Sequence, residues 1–146
     1  MEGVQEAFIS TFEETAFQFL NPLEKPVQEY DDIGYFIGRC RFDGAINGIF
    51  DLIIHESTVN EYLEFLFSDE PETEITDELR SDSVKELSNV LCGNMISKCV
   101  NAQASEYKIE KPVILALSSL ADAGDLSLYS FFENSGKACG FSFLVN

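Results

Sequence analysis

The segment AINGIFDLIIH, residues 45–55, constrains the fold more than any other part of the sequence. It is rich in β-branched and aromatic residues, and its second half is apolar on nearly both faces. Such a strand needs cover on both sides, so we expect it in the centre of a sheet. Residues 35–42 predict a neighbouring strand, and Asp43-Gly44 between the two is a hairpin signal.

Helical spacing of apolar residues predicts three helices around this hairpin. The first covers residue 4 to about residue 20, where NPLEKP ends it. The second is short, with Ser57 as N-cap, and reaches about residue 67. The third is long: it starts at Thr76 or Asp77 and runs to about residue 104.

The last part of the chain reads as strands. They are predicted at residues 113–120, 126–133 and 138–145, and the last two form a hairpin across NSGK. Hairpins alternating with helices predict an α+β fold. A helix followed by antiparallel strands occurs twice, which suggests an internal duplication without a residue-level repeat. At 146 residues we expect a single domain spanning residues 1–146.

The net charge of −17 narrows the possible partners. Nucleic acid and anionic membrane surfaces are excluded as partners because their phosphates would be repelled. Residues 68–78, SDEPETEITDE, concentrate acid in what we expect to be a solvated loop. The sequence has no secretory signal before the first helix and no apolar run of transmembrane length, so we expect a cytoplasmic protein.

The usual catalytic and metal-binding patterns are missing from the sequence. The four cysteines form no C-x-x-C pair and no zinc spacing, and Cys40, Cys99 and Cys139 sit in apolar patterns typical of reduced core thiols. His55 is the only histidine, at the end of a predicted strand. No P-loop, dinucleotide-binding glycine pattern or nucleophile elbow occurs.

The long helix carries an ordered polar stripe. On a helical wheel four residues fall within about 60° of arc: Asp82, Glu86, Asn89 and Gly93. The apolar residues lie nearly opposite: Val84, Leu87, Leu91 and Met95. A glycine inside a helix costs about 1 kcal/mol relative to alanine, and it removes a side chain where another surface could approach. The wheel leaves two readings open, a coincidental solvated face or a docking stripe.

The spacing of this stripe resembles the signature of the CheC/CheX/FliY phosphatases of bacterial chemotaxis. That signature is Asp or Ser, three residues, Glu, two residues, Asn, twenty-two residues and Pro. Asp82, Glu86, Asn89 and Pro112 satisfy every position, with residues 90–111 as the twenty-two. The pair Gly93-Asn94 also resembles the Gly-Asn pair that follows the motif in the family.

The resemblance implies a fold and an activity. The fold would be an antiparallel β-sheet with two long helices packed on one side. The activity would be hydrolysis of the aspartyl phosphate on a CheY-type receiver, with Asn89 positioning the water and Glu86 pairing with a receiver lysine. Asp82 and Gly93 would support partner binding, while Asn94 and Pro112 would be structural. No cofactor of its own is implied, since Mg²⁺ would sit on the partner receiver.

Family subtypes differ in how many helices carry the motif. The first helix here has no E-x-x-N, so the chain resembles the one-site CheX type rather than the two-site CheC type. CheX-type proteins join their sheets into homodimers, which implies a dimer. The alternative is a non-catalytic CheC/FliM-middle-domain-like binding or flagellar switch module.

Overall fold

The computed structural model describes residues 3–30 and 32–146 and has an α+β fold. The described helices are α1 (Val4–Ala16), α2 (Glu56–Leu66) and α3 (Asp77–Cys99). The described strands are β1 (Tyr35–Gly44), β2 (Gly48–His55), β3 (Tyr107–Ile109), β4 (Val113–Ala116), β5 (Ser130–Asn134) and β6 (Lys137–Val145). A helix followed by antiparallel strands occurs twice, as the sequence predicts.

All the strands join one antiparallel sheet in the order β3-β1-β2-β6-β5, and β4 also pairs with β1. The prediction of a central strand is confirmed, because β2 lies between β1 and β6. Alternate residues of β2, Phe50 and Leu52 on one face and Ile53 on the other, are all fully buried.

The two long helices pack on the same face of the sheet. Phe8 and Phe12 of α1 and Leu87 and Leu91 of α3 form one core with inward residues of β1, β2 and β6. The opposite face is covered by irregular segments, from which Tyr30 and Leu120 pack on the sheet and make a second, smaller core. The side of the sheet that holds the helices therefore contains most of the buried apolar surface.

The helix ends differ from the sequence prediction in all three helices. α1 ends at Ala16, four residues early, because Phe17 takes φ 60° and ψ 34°. α2 starts at Glu56, since His55 rather than Ser57 is the N-cap and its Nδ1 accepts the Ser57 N–H at 3.0 Å. α3 starts at Asp77, one of the two predicted positions, with Thr76 as its N-cap, but it ends at Cys99 instead of residue 104.

Strand boundaries also need correction. Asp43 and Gly44 are not the hairpin turn: they extend β1 and pair with Lys108 and Tyr107 of β3, a strand that the sequence did not predict. The chain turns over residues 45–47 instead. The predicted strand at 113–120 ends at Ala116, and the one at 126–133 begins at Ser130. The final hairpin is confirmed.

A bulge separates β3 from β4 along the edge of the sheet. Phe42 of β1 pairs with Ile109, and Arg39 pairs with Val113. Two residues of β1, 40 and 41, therefore face three residues, 110–112. The Glu110 N–H still donates to the Arg41 carbonyl at 2.8 Å, but Pro112 has no N–H to donate. An extra residue of this kind usually bends the strand that carries it.

The cysteines are free, and Cys40, Cys92 and Cys139 are buried, which fits reduced core thiols. Of the helices in the described part of the chain, none has both the length and the apolar character needed to cross a membrane.

Candidate functional site

The polar stripe of α3 faces outward. Asp82, Glu86 and Asn89 are exposed, whereas the residues on the other side of the helix are buried: Ser83, Val84, Leu87, Ser88, Leu91, Cys92, Met95 and Ile96. The predicted wheel is confirmed in this respect. Three polar side chains spaced by four and three residues thus share one exposed helix face.

The inner side of α3 sits close to the sheet through small residues. A Cβ added to Gly38 of β1 would stand 2.0 Å from Ser88 Oγ, 3.0 Å from Ser88 Cβ and 3.3 Å from Val84 Cγ1. An alanine at this place would force the Ser88 hydroxyl to rotate and would press on Ser88 Cβ and Val84. Ser88 Oγ is buried and has no hydrogen-bond partner in the described part of the molecule. A buried hydroxyl without a partner lowers the stability of the fold, and the close packing of α3 on the sheet must offset this loss. Because Ser88 directly precedes Asn89, the contact of Ser88 with Gly38 also fixes the backbone that carries Asn89.

A groove of about 430 Å³ brings the predicted motif residues together. Asp82, Glu86 and Asn89 form its helical wall, and the bulge between β3 and β4, with Pro112, forms the other wall. Residues separated by more than twenty positions in the sequence therefore line one surface. The groove is open and shallow enough to receive a projecting surface of another protein rather than to enclose a small ligand.

Four more residues line the groove that sequence reasoning missed: Lys85, Ile109, Glu110 and Lys111. Lys85 precedes Asn89 by four residues, a spacing that places the two on the same helix face and could have been read from the sequence. The other three belong to the unpredicted β3 and to the bulge. The two lysines place positive charge beside the site in a chain with net charge −17.

Gly93 and Asn94 lie outside the lining of the groove. A Cβ added to Gly93 would meet only Ile109 Cδ1, at 3.8 Å, which is ordinary contact. No described neighbour therefore requires glycine there. The Asn94 side chain donates from Nδ2 to the Val90 carbonyl at 3.0 Å, a bond within the helix. Pro112 immediately precedes β4, where a residue without an N–H is tolerated at a sheet edge.

Helix α2 flanks the other side of the stripe. Arg80 of α3 donates from Nε to Asn60 Oδ1 of α2 at 2.8 Å. Further along, burial and the negative charge of Glu86 both raise the pKa of the Tyr62 phenol. α2 therefore runs alongside α3 from Arg80 towards Glu86.

No group of three or more His, Cys, Asp or Glu side chains within residues 3–30 and 32–146 could hold a metal ion. The groove instead offers an amide, carboxylates and two ammonium groups, a set suited to hydrogen bonding and ion pairing with a partner.

The model of one protein family matches residues 36–130, which contain the whole groove. That family is described as chemotaxis phosphatase CheX. The chain belongs to the CheX family. No curated protein matches the sequence significantly.

Solved structures of CheX proteins have the same fold. CheX from Vibrio vulnificus superposes with a TM-score of 0.67 at 12% identity, covering 100% of this chain and 98% of the other. CheX from Desulfovibrio desulfuricans gives 0.66 at 11% identity, with 99% and 97% covered. The CheX-CheY-BeF3-Mg²⁺ complex from Borrelia burgdorferi gives 0.65 at 16% identity, with 99% and 96% covered. The predicted sheet with two long helices on one side is thus the CheX architecture.

Proposed function

We propose that this protein accelerates hydrolysis of the aspartyl phosphate on a CheY-type response-regulator receiver and so terminates a chemotaxis or other two-component signal. One observation carries the proposal: Glu86 and Asn89 are exposed on one helix face and share a groove with Asp82 and Pro112. Membership of the CheX family supports this activity for the class of protein. The residues and their roles in this chain are the proposed part.

Asn89 positions the attacking water. Hydrolysis of an acyl phosphate requires a water oxygen in line with the phosphorus and the leaving carboxylate oxygen. A carboxamide can accept a hydrogen bond from that water and donate another to the phosphoryl group. It has no charge to repel the phosphoryl oxygens. Held on a helix whose backbone is fixed by Ser88 and Gly38, the amide loses little further freedom when the receiver docks.

Glu86 sets the register of docking. Its carboxylate lies one turn before Asn89 on the same face and is free to form an ion pair with a lysine beside the receiver's phosphoryl group. Asp82 supports the edge of the same contact. Lys85 of α3 and Lys111 of the bulge also line the groove and would face acidic residues on the receiver. Their charges counter the repulsion between two acidic proteins at the point of contact.

The chemistry needs no resident cofactor in this protein. We propose that the receiver contributes the phosphorylated aspartate and the Mg²⁺ ion that neutralises charge on the phosphoryl group. The residues of the groove then orient water and partner. We place the reaction in the cytoplasm, where phosphorylated receivers act.

A homodimer joined through the sheet is part of the proposal. The edge strand β4 carries the exposed side chains Val113 and Leu115 on one face, and within the described residues no strand pairs with its outer edge. An apolar strand edge of this kind can pair with the same strand of a second copy.

The decisive experiment measures loss of phosphate from a phosphorylated CheY-type receiver with Mg²⁺ present. We expect the wild type to accelerate the loss and Asn89→Ala to reduce the acceleration by about a hundredfold or more. Ser97→Ala, which removes an exposed polar side chain from the same helix, is the matched control and should retain full activity. If Asn89→Ala and the wild type have the same effect, the proposed mechanism is wrong. Stable binding to a receiver or to flagellar proteins without any acceleration would favour the binding-module alternative.

A further inference from the structure

An exposed pair of stacked aromatic rings lies where α1 and α2 end. The rings of Phe17 and Phe65 have their centroids 4.2 Å apart and planes 25° apart. Phe17 is 49% exposed and Phe65 is 54% exposed. Their chain neighbours Phe19, 74% exposed, and Leu66 are also large apolar residues open to solvent. We call these four residues the aromatic patch. Clusters of exposed apolar side chains on a soluble protein mark interaction surfaces more often than single ones do.

Phe17 holds its ring in the patch at an energetic cost. Its φ of 60° and ψ of 34° lie in the left-handed region, where a residue at a helix end is usually glycine. A phenylalanine there is strained, and its ring gains little burial in return. Strained backbone conformations of this kind are found most often at functional sites. A bulky exposed ring in a conformation suited to glycine is therefore typical of a functional position.

The aromatic patch lies about one turn of α2 beyond the part of that helix that is close to Glu86. Asn60 of α2 is bonded to Arg80, and Tyr62 lies within the electrostatic influence of Glu86. Phe65 is three residues beyond Tyr62, about 4.5 Å further along the helix axis. A protein interface of ordinary size covers about 800 Å² on each partner, which corresponds to a disc about 16 Å in radius. A receiver docked over Glu86 and Asn89 would therefore extend over the end of α2.

We propose that the aromatic patch is a second part of the receiver-docking surface, and that it determines which receiver this protein acts on. This inference rests on the proposed function, because it names the same partner. The patch contacts no reacting atom; it adds binding energy and selects the partner by shape and charge. The groove would contact features near the phosphoryl group of any receiver. The patch would contact a surface that differs from one receiver to another.

The surroundings of the patch define the surface that fits it. Glu61 and Glu64 are exposed on α2 beside Phe65, and Glu14 is exposed near the end of α1. A matching receiver surface would present an apolar side chain that inserts against the stacked rings, flanked by lysines or arginines that pair with these carboxylates. Aromatic side chains give large contact area with few rotatable bonds, which suits them to such an anchoring role.

The test uses the full chain and a CheY-type receiver loaded with Mg²⁺ and beryllofluoride, a stable mimic of the phosphoryl group. We expect Phe65→Ser to raise the dissociation constant about tenfold and Phe19→Ser to raise it several-fold. Phe19 makes no ring contact among the described residues, so its removal tests the patch even if Phe65→Ser impairs folding. The matched control is Leu128→Ser, which removes an exposed leucine far from α2 in the chain and should bind as wild type.

The variant Phe17→Gly distinguishes a role of Phe17 in receiver binding from a role in the stability of the fold. Glycine suits the left-handed backbone, so we expect this variant to melt no earlier than wild type while it binds the receiver about tenfold more weakly. A residue with a merely structural role would not weaken binding while leaving the melting temperature intact. In phosphate-loss assays the patch variants should need a correspondingly higher receiver concentration for half-maximal rate.

The outcomes separate this inference from the proposed function. Dissociation constants within twofold of wild type for both Phe65→Ser and Phe19→Ser would overturn the docking surface, even if Asn89→Ala abolishes hydrolysis. Conversely, weakened receiver binding by the patch variants with no acceleration by the wild type would retain the surface and refute the hydrolysis. If sedimentation shows that Phe65→Ser loses a dimer while its affinity for the receiver is unchanged, the patch covers a second copy and the inference is wrong.

Discussion

The two long helices pack on the same face of one sheet, yet they are held there by different means. α1 is seated by aromatic rings: Phe8 stacks on Phe141 with centroids 4.2 Å apart, and Phe12 is fully buried beside it. α3 is seated through small groups, with Ser88 against Gly38. The size of the rings sets the distance of α1 from the sheet, whereas the missing side chain at Gly38 lets α3 approach the sheet closely.

The Cys92 thiol of α3 adds to the close packing of this helix on the sheet. Hydrogen bonding to Cys40 of β1, together with burial, raises the pKa of the Cys92 thiol, so this thiol stays protonated and acts as a small packing group. The helix that carries the polar stripe is thus the one whose distance from the sheet is fixed by close contact. Both helices contribute apolar burial, and α3 in addition provides a closely seated platform for the stripe.

The largest effect is expected when the packing of α1 on the sheet is weakened and α3 is left unchanged. We expect Phe12→Ala to lower the free energy of unfolding by about 3–5 kcal/mol, because it leaves a cavity in the main core. Chemical denaturation measures this loss. The rate of receiver dephosphorylation per folded molecule should stay near that of wild type. A rate per folded molecule that drops together with stability would mean that α1 also positions the site.

Reversing the charge of the stripe tests the outer face of α3. We expect Glu86→Lys to weaken receiver binding about a hundredfold, through repulsion of the receiver's lysine. Its free energy of unfolding should change by no more than about 0.5 kcal/mol, since the side chain is exposed. Titration with the beryllofluoride-loaded receiver measures the affinity. Glu74→Lys makes the same charge change in the acidic loop and controls for net charge; equal losses in both variants would contradict a specific ion pair.

A smaller effect is expected from the inner face. In Gly38→Ala the Ser88 hydroxyl can rotate away, but Ser88 Cβ at 3.0 Å and Val84 at 3.3 Å remain too close, so α3 must move. We expect a loss of about 1–2 kcal/mol in unfolding free energy together with a reduced maximal rate of phosphate loss. Adding Ser88→Gly should restore part of both. Full activity in Gly38→Ala would show that the close seat does not position Asn89.

Gly93→Ala should give the smallest change. An added methyl group meets only Ile109 Cδ1 at 3.8 Å, so alanine fits and should raise helix stability by about 0.5–1 kcal/mol. Thermal melting measures the gain. If a receiver approaches the helix closely at this point, the same variant binds it more weakly. Unchanged affinity in a receiver titration would remove Gly93 from the contact surface.

The sequence predicted α3 and its stripe well because both depend on local periodicity. A long amphipathic helix shows its faces in the spacing of residues such as Leu87 and Glu86, whatever it packs against. The central position of β2 was also predictable, since a strand that is apolar on both faces must be covered. The motif named Pro112 only as a structural residue, so its place in the wall of the groove beside Asp82 and Asn89 was not predicted.

The rest depended on pairings between distant residues. β3 is three residues long, too short to show a pattern, and exists because Gly44 and Asp43 pair with it. The far wall of the groove, with Lys111, was therefore missed along with the strand. The early end of α1 was missed because nothing in the sequence announces that Phe17 takes a conformation favoured by glycine.

The bulge between β3 and β4 also has a consequence for solubility. An uninterrupted, apolar strand at the edge of a sheet offers a template on which further chains can stack, the first step towards aggregates. Here the inserted residue and Pro112 break the edge, and exposed Lys108 and Lys111 place charge on the broken part. On this side of the sheet, β4 provides a continuous edge of only four residues. The distortion that shapes one wall of the groove thus also limits how far strands of other molecules can add to the sheet.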